Sequence, residues 1–146
     1  MCLGTSAQGK VLMTLSLSEG FRLESNFVHL KDSGTLTSLP VDEKFWSEGM
    51  ARGYLASGRL IGVLNLAVGP SHWEIHPDGD ELLYLLSGLM DVAIESGDKT
   101  DVITLNAHSS YIVPSKTWHQ TIAREPSTLL FMTPSKDTHR RDLCFY

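Results

Sequence analysis

The chain has 146 residues, of which 42% are hydrophobic and 20% charged, and its formal net charge is −5. This length and balance indicate one globular domain, and an acidic chain without a Lys/Arg run excludes nucleic acid and anionic membranes as expected partners. No apolar run approaches the ~20 residues of a membrane-spanning helix, and the apolar patch at residues 11–13 is too weak for a secretory signal, so we expect a cytoplasmic protein. The two cysteines, Cys2 and Cys144, are expected to be free thiols near the termini.

The first third of the chain shows little periodicity. Residues 1–26 predict a partly disordered arm or an edge strand. A short strand is predicted at residues 27–30, followed by a turn at 31–34 and an extended stretch at 35–39. Residues 41–53 predict one short helix capped by Asp42, although a loop fits this stretch nearly as well.

From residue 59 onward, short strand-like runs alternate with turn residues. Eight strands are predicted, at residues 60–68, 73–76, 81–86, 90–96, 101–105, 111–113, 117–123 and 129–133. Such a series without helices predicts an all-β antiparallel sandwich of jelly-roll type, or a small barrel with a cavity. We place this domain at residues 27–136 and a charged tail at 137–146. Alternation places Asp91, Ala93 and Glu95 on a solvent-facing side of their strand.

A group of polar side chains interrupts the second and third of these strands. His72, Glu74 and His76 occupy alternate positions and therefore share one face of a strand. The turn at residues 77–79, Pro-Asp-Gly, returns the chain to Glu81 at the start of the next strand. Two imidazoles and two carboxylates in this pattern indicate either a site or an unusually polar hairpin.

This stretch and a later one resemble the two motifs of the cupin superfamily. In the first motif, Glu74, His76, Glu81 and Gly88 follow the family spacing without gaps, with Glu74 where the first histidine usually stands. The second motif keeps its proline and histidine, Pro114 and His119. It replaces both glycines and the final asparagine; the residues at those positions are His108, Lys116 and Ala123.

The resemblance implies a double-stranded β-helix, which is a jelly-roll barrel, in a protein that is often a homodimer. It also implies one divalent metal ion in the barrel mouth, with Glu74, His76, Glu81 and His119 as ligands. Imidazole and carboxylate together suit Fe, Mn, Ni or Zn. Glu74 is either a fourth ligand or a catalytic base beside the metal. Alternatively, Glu74 pairs with His76 or Lys116, and no metal binds.

Around these residues, alternation predicts a small apolar pocket. Its expected lining is Leu83, Leu85, Thr121 and Ala123, which suits an apolar or aromatic small molecule better than a sugar. His72 lies about 13 Å along the strand from His76 and is expected at the rim. A turn position that usually takes glycine predicts tolerated backbone strain or a surface turn at His108.

We expect an enzyme whose metal acts on a small organic molecule by oxygenase, lyase or decarboxylase, or isomerase chemistry. The absence of a GxSxG sequence, a glycine-rich phosphate loop and an HExxH sequence argues against covalent hydrolysis and phosphoryl transfer. One alternative is a non-catalytic barrel that binds a small ligand for a regulatory purpose, with or without metal. Another is a metal-free structural barrel.

Overall fold

A computed structural model describes residues 19–49, 53 and 55–141. The predicted N-terminal arm lies largely outside the described residues, as do Cys2 and Cys144. The described part is almost entirely β-structure, with twelve strands and one helical turn. None of its helices is long and apolar enough to cross a membrane.

The first sheet has six antiparallel strands in the order β2-β1-β3-β11-β6-β9. These strands are β1 (Asn26–Leu30), β2 (Leu36–Pro40), β3 (Arg59–Leu66), β6 (Glu81–Ser87), β9 (Ser110–Val113) and β11 (Ser127–Pro134). Burial alternates along β6: Leu83 and Leu85 are buried, whereas Leu82 and Tyr84 are half-buried. This period of two is why the segments form strands with one face toward the core.

The second sheet has the strand order β12-β5-β10-β7-β8, and the short β4 also pairs with β10. Its strands are β4 (Gly69–Pro70), β5 (Trp73–Ile75), β7 (Leu89–Ser96), β8 (Lys99–Asn106), β10 (His119–Ala123) and β12 (His139–Arg141). The two sheets form a jelly roll, as the series of short strands predicts. The strand β12 lies within the segment that we assigned to a tail.

The core lies between the sheets and takes side chains from both. Its buried members are Phe27, Leu39, Phe45, Leu60, Leu83, Leu85, Met90, Val92, Ile94, Leu105, Val113, Leu129 and Phe131. Burying each such side chain stabilises the fold by about 1.5–3 kcal/mol relative to leaving it exposed. The core therefore joins the two sheets as one unit.

Two sequence-based expectations need correction. The helix expected at residues 41–53 is a single turn, α1 (Phe45–Glu48), anchored by the fully buried Phe45. The expectation that Asp91, Ala93 and Glu95 form a solvent-facing side of β7 is also wrong, because Asp91 and Ala93 are buried. The carboxylate of Asp91 is neutralised there by Arg124 and accepts a hydrogen bond from Thr104 at 2.7 Å, so an acidic residue is tolerated inside.

Candidate metal site

The four residues that the motifs single out meet at one end of the jelly roll. Glu74 lies in β5 and His76 directly follows that strand. His119 begins β10, where it stands opposite Glu74 in the antiparallel register. Glu81 begins β6 in the other sheet. The site is therefore built between the two sheets, from three strand ends.

Two turns beside the site are tied to each other. Asp80 Oδ1 accepts a hydrogen bond from the backbone N–H of Ser115 at 2.8 Å, and the N–H of Lys116 donates to the carbonyl of His76 at 3.1 Å. These bonds join the turn after β5 to the turn before β10. They fix the separation of His76 and His119, which are far apart in sequence.

Both positions where the second motif replaces glycine keep a left-handed backbone. The φ angle is 67° at His108 and 60° at Lys116. The expected backbone strain at His108 is thus confirmed, and its Nδ1 lies 3.2 Å from the hydroxyl of Tyr84. The two positions therefore have the left-handed backbone that favours glycine, although neither residue is a glycine.

The imidazole and carboxylate groups converge on a small volume. One potential ligand atom from each of Glu74, His76 and His119 lies within 4.8 Å of the others. Oε2 of Glu81 lies 2.8 Å from Nε2 of His119 and 3.5 Å from Nε2 of His76. Oε2 of Glu74 lies 3.9 Å from Nε2 of His76. Two histidines and a carboxylate at these separations form a cluster that could hold a divalent metal ion.

The outward-facing atoms of the cluster are held by further contacts. Nδ1 of His76 lies 2.9 Å from Oγ1 of Thr138, and Nδ1 of His119 lies 3.2 Å from the carbonyl of Thr117. Oε1 of Glu81 accepts a hydrogen bond from Thr133 at 2.5 Å. Each group therefore keeps its other polar atom directed into the site, as metal-binding side chains do.

Inside the site, two buried polar atoms have no hydrogen-bond partner among the described residues: Nε2 of His76 and Oε2 of Glu81. The contact of Oε2 with His119 is close but lacks hydrogen-bond geometry. An unsatisfied buried polar atom costs about 1–3 kcal/mol. A cation between His76, Glu81 and His119 would satisfy these atoms, so the residues present fit a divalent metal.

Glu81 and His119 each shift the pKa of the other toward its charged form. Burial raises the pKa of Glu81, but contacts with His119 and His76 outweigh this effect and lower it to about 2. Burial lowers the pKa of His119, but contacts with Glu81 outweigh this effect and raise it. Both shifts favour an ion pair between His119 and Glu81 when no metal is bound, and a metal ion would compete with a proton for Nε2 of His119.

Glu74 has a partner that the sequence did not indicate. Its Oε1 accepts a hydrogen bond from Nε of Arg140 at 2.7 Å, and the two residues are paired in the register of β12 and β5. The alternative pairing with Lys116 is not observed among the described contacts of Glu74. Neither Arg140 nor Thr138 belongs to a motif, and their segment has no periodic pattern, so sequence reasoning missed both.

A cavity of about 670 Å³ opens beside the cluster. Of the residues predicted to line it, Leu83 and Thr121 do so, whereas Leu85 and Ala123 are buried without being among its described lining residues. His72 lines the cavity beside Glu74. Most of the remaining wall is apolar; it includes Trp46, Leu55, Leu60, Leu64, Leu66, Leu129 and Phe131.

Comparisons with known proteins agree with this architecture. Residues 62–133 match the family model described as the cupin domain. No protein of curated function matches the chain.

Several solved structures resemble the chain at low sequence identity. A cupin-2 domain protein from Shewanella frigidimarina is 25% identical, with a TM-score of 0.44 over 52% of this chain and 70% of its own. Peruvianin-I, a cysteine peptidase from Thevetia peruviana latex, is 17% identical, with a TM-score of 0.50 over 59% of this chain and 57% of its own. Hydroquinone 1,2-dioxygenase from Sphingomonas, solved with 4-hydroxybenzoate bound, is 18% identical, with a TM-score of 0.47 over 52% of this chain and 59% of its own.

Proposed function

Because this chain belongs to the cupin superfamily, we propose that it binds one divalent metal ion and acts on a small organic molecule in the adjoining cavity. His76, Glu81 and His119 are the proposed ligands, and Glu74 is a fourth ligand or a base beside the metal. The metal is Fe, Mn, Ni or Zn, the ions that suit two imidazoles and a carboxylate.

One observation carries the proposal. Nε2 of His76 is buried without a hydrogen-bond partner among the described residues, and it lies 3.5 Å from the buried Oε2 of Glu81, which in turn contacts Nε2 of His119 at 2.8 Å. A barrel kept only for its structure gains nothing from this arrangement, because apolar residues would avoid the cost of burying such atoms. A metal ion bound at this point would coordinate both atoms and so remove the cost of burying them without partners.

The proposed reaction is oxygenase, lyase or decarboxylase, or isomerase chemistry. When bound, the metal would act as a Lewis acid toward an oxygen atom of the substrate, or would bind O₂. The apolar wall, which includes Leu64 and Phe131, excludes water and packs against the body of the substrate. Oε2 of Glu74 faces the site while Arg140 holds Oε1, so Glu74 is positioned to accept a proton from the substrate.

The first experiment is elemental analysis of the full chain, purified without a His-tag or added metal. We expect about one equivalent of metal per chain in the wild type. His119→Ala should lose it, because the variant removes a proposed ligand, whereas His72→Ala, at the cavity wall, should retain it. A wild type that holds no metal and takes up none from solution would overturn the proposal.

The identity of the metal then directs the activity assays. Iron leads to O₂-uptake measurements with phenols and diketones, and zinc or nickel leads to lyase and isomerase assays. Metal binding with tight ligand binding but no turnover would favour the alternative, a non-catalytic barrel that binds a small regulatory ligand.

We also propose that the protein is a homodimer, as the resemblance implies, and that it is located in the cytoplasm. Edge strands carry exposed apolar side chains that are available for such an association: Leu36 on β2, Val102 on β8 and Ile112 on β9, at three different sheet edges, have 62%, 57% and 59% of their surface exposed. Light scattering of the full chain tests the dimer, and a mass equal to one chain at all concentrations would contradict it.

A further inference from the structure

We propose that two threonines, Thr138 and Thr133, are positioning residues of the metal site, each acting through one of the proposed ligands. The inference rests on the proposed function, because it concerns how His76 and Glu81 are prepared for a metal. It brings the segment after β11, outside both sequence motifs, into the site.

Thr138 contacts Nδ1, the nitrogen of His76 that points away from the cluster. Its hydroxyl lies 2.9 Å from Nδ1 of His76 and also donates to the carbonyl of Pro134, at 3.4 Å. A hydroxyl has one proton, so if that proton goes to the carbonyl, Thr138 must accept the proton of Nδ1. Nε2 of His76 then carries a lone pair, and this is the buried atom without a partner.

The neighbouring histidine shows the same arrangement with a different partner. Nδ1 of His119 lies 3.2 Å from the carbonyl of Thr117, which can only accept a hydrogen bond. Nδ1 of His119 therefore carries a proton and Nε2 faces the site. Thr138 gives His76, which follows a different strand, the orientation that the backbone gives His119.

Thr133 holds the carboxylate of Glu81, as Thr138 holds the imidazole of His76. Its hydroxyl donates to Oε1 of Glu81 at 2.5 Å, which leaves Oε2 to face His76 and His119. Thr133 lies in β11 and is half-buried, so its side chain is held against Glu81 by the sheet. The carboxylate is thus fixed in one orientation before any metal arrives.

The segment that carries Thr138 is itself anchored on the second sheet. Arg141 of β12 forms an ion pair with Glu95, and its guanidinium lies 4.9 Å from the ring centre of Trp73 and 4.5 Å from that of Trp118. Arg140 binds Glu74 beside it. Contacts of this kind hold Thr138 in place on the His76 side of the site.

The test measures cobalt affinity of the full chain by competition with a chelator. Thr138→Val and Thr133→Val preserve shape but remove the hydroxyl, and each should weaken Co²⁺ binding about 10–100-fold. Thr138→Ser and Thr133→Ser restore the hydroxyl and should restore the affinity. Thr128→Val is the matched control: its threonine is in β11 too, but it binds the exposed Asn65 and should leave the affinity unchanged.

The absorption spectrum of bound Co²⁺ separates positioning from a general loss of stability. At saturating cobalt, the valine variants should show an altered ligand-field spectrum, and the serine variants should show that of the wild type. If the wild type binds cobalt and both valine variants bind it equally well with the same spectrum, the inference is wrong and the proposed function stands. If the wild type binds no cobalt, both fail.

Discussion

Gly88 is the last residue of the first motif, and it differs from an ordinary turn glycine in how closely other atoms approach it. Its φ is 96°, and an added Cβ would lie 2.2 Å from Oγ of Ser127 and 2.8 Å from the carbonyl oxygen of Pro126. Gly97 has a similar backbone, with φ of 62°, but open space around it. The two glycines therefore share a left-handed backbone, which would strain any other residue, and differ in crowding.

We expect Gly97→Ala to lower the free energy of unfolding by about 1 kcal/mol, the cost of a left-handed alanine. Gly88→Ala should cost about 3 kcal/mol or more, because backbone atoms of β11 must also move. Urea unfolding of both variants measures the difference. Equal losses would mean that the close approach to Ser127 does not determine the shape of this turn.

At the level of single residues, the sequence predicted the cluster and missed its supports. Glu74 and His76 could be assigned to one face from strand periodicity, and Glu81 and His119 from the spacing of the motifs. Thr133, Thr138 and Arg140 could not be found in this way. Their contacts with the cluster depend on strand pairings, such as Arg140 with Glu74, that local sequence does not encode.

Among the strands, a buried carboxylate ties three neighbours together. Asp91 of β7 binds Thr104 of β8 and Arg124, which follows β10. Burial raises the pKa of Asp91, but the hydrogen bonds from Thr104 and Arg124 and the charge of Arg124 outweigh it, so the pKa is lowered. We expect Asp91→Asn to lower the free energy of unfolding by about 1.5–3 kcal/mol at pH 7.

The sign of the pH dependence follows from the lowered pKa. The ionised Asp91 stabilises the fold fully above its unfolded pKa, about 3.9, and this contribution disappears as the pH falls through the lower folded value. The difference between wild type and Asp91→Asn should therefore be constant above about pH 5 and shrink below about pH 4. A difference that stays constant to pH 2 would show that Asp91 acts through packing and not through its charge.

Strands were predicted more successfully than the segments that depend on tertiary contacts. All eight strands expected after residue 59 are present, because alternation and turn residues specify them locally. The expected helix shortens to α1, where Phe45 packs on Phe27 with ring centres 5.1 Å apart. The prediction that one side of β7 faces solvent is wrong because Arg124, which is distant in sequence, neutralises Asp91 and allows it to be buried.

On the scale of the whole molecule, the cluster connects the two sheets. Glu81 belongs to the first sheet, whereas Glu74 and His119 belong to the second. Without metal, the contact between Glu81 and His119, 2.8 Å long, spans this junction. A metal bound by Glu81, His76 and His119 would replace it with bonds to both sheets, so metal binding and the stability of the jelly roll should be coupled.

We therefore expect Co²⁺ to raise the melting temperature of the wild type and an added chelator to reverse the rise. A ligand that binds only the folded state at 100 times its Kd contributes about 2.7 kcal/mol. For a domain of this size, that corresponds to a rise of about 5–10 °C. His119→Ala should not respond, because it lacks one of the proposed ligands, whereas His72→Ala should respond like the wild type. An equal rise in all three proteins would place the bound cobalt away from the junction, and the two sheets would then be held together by the core and the ion pair alone.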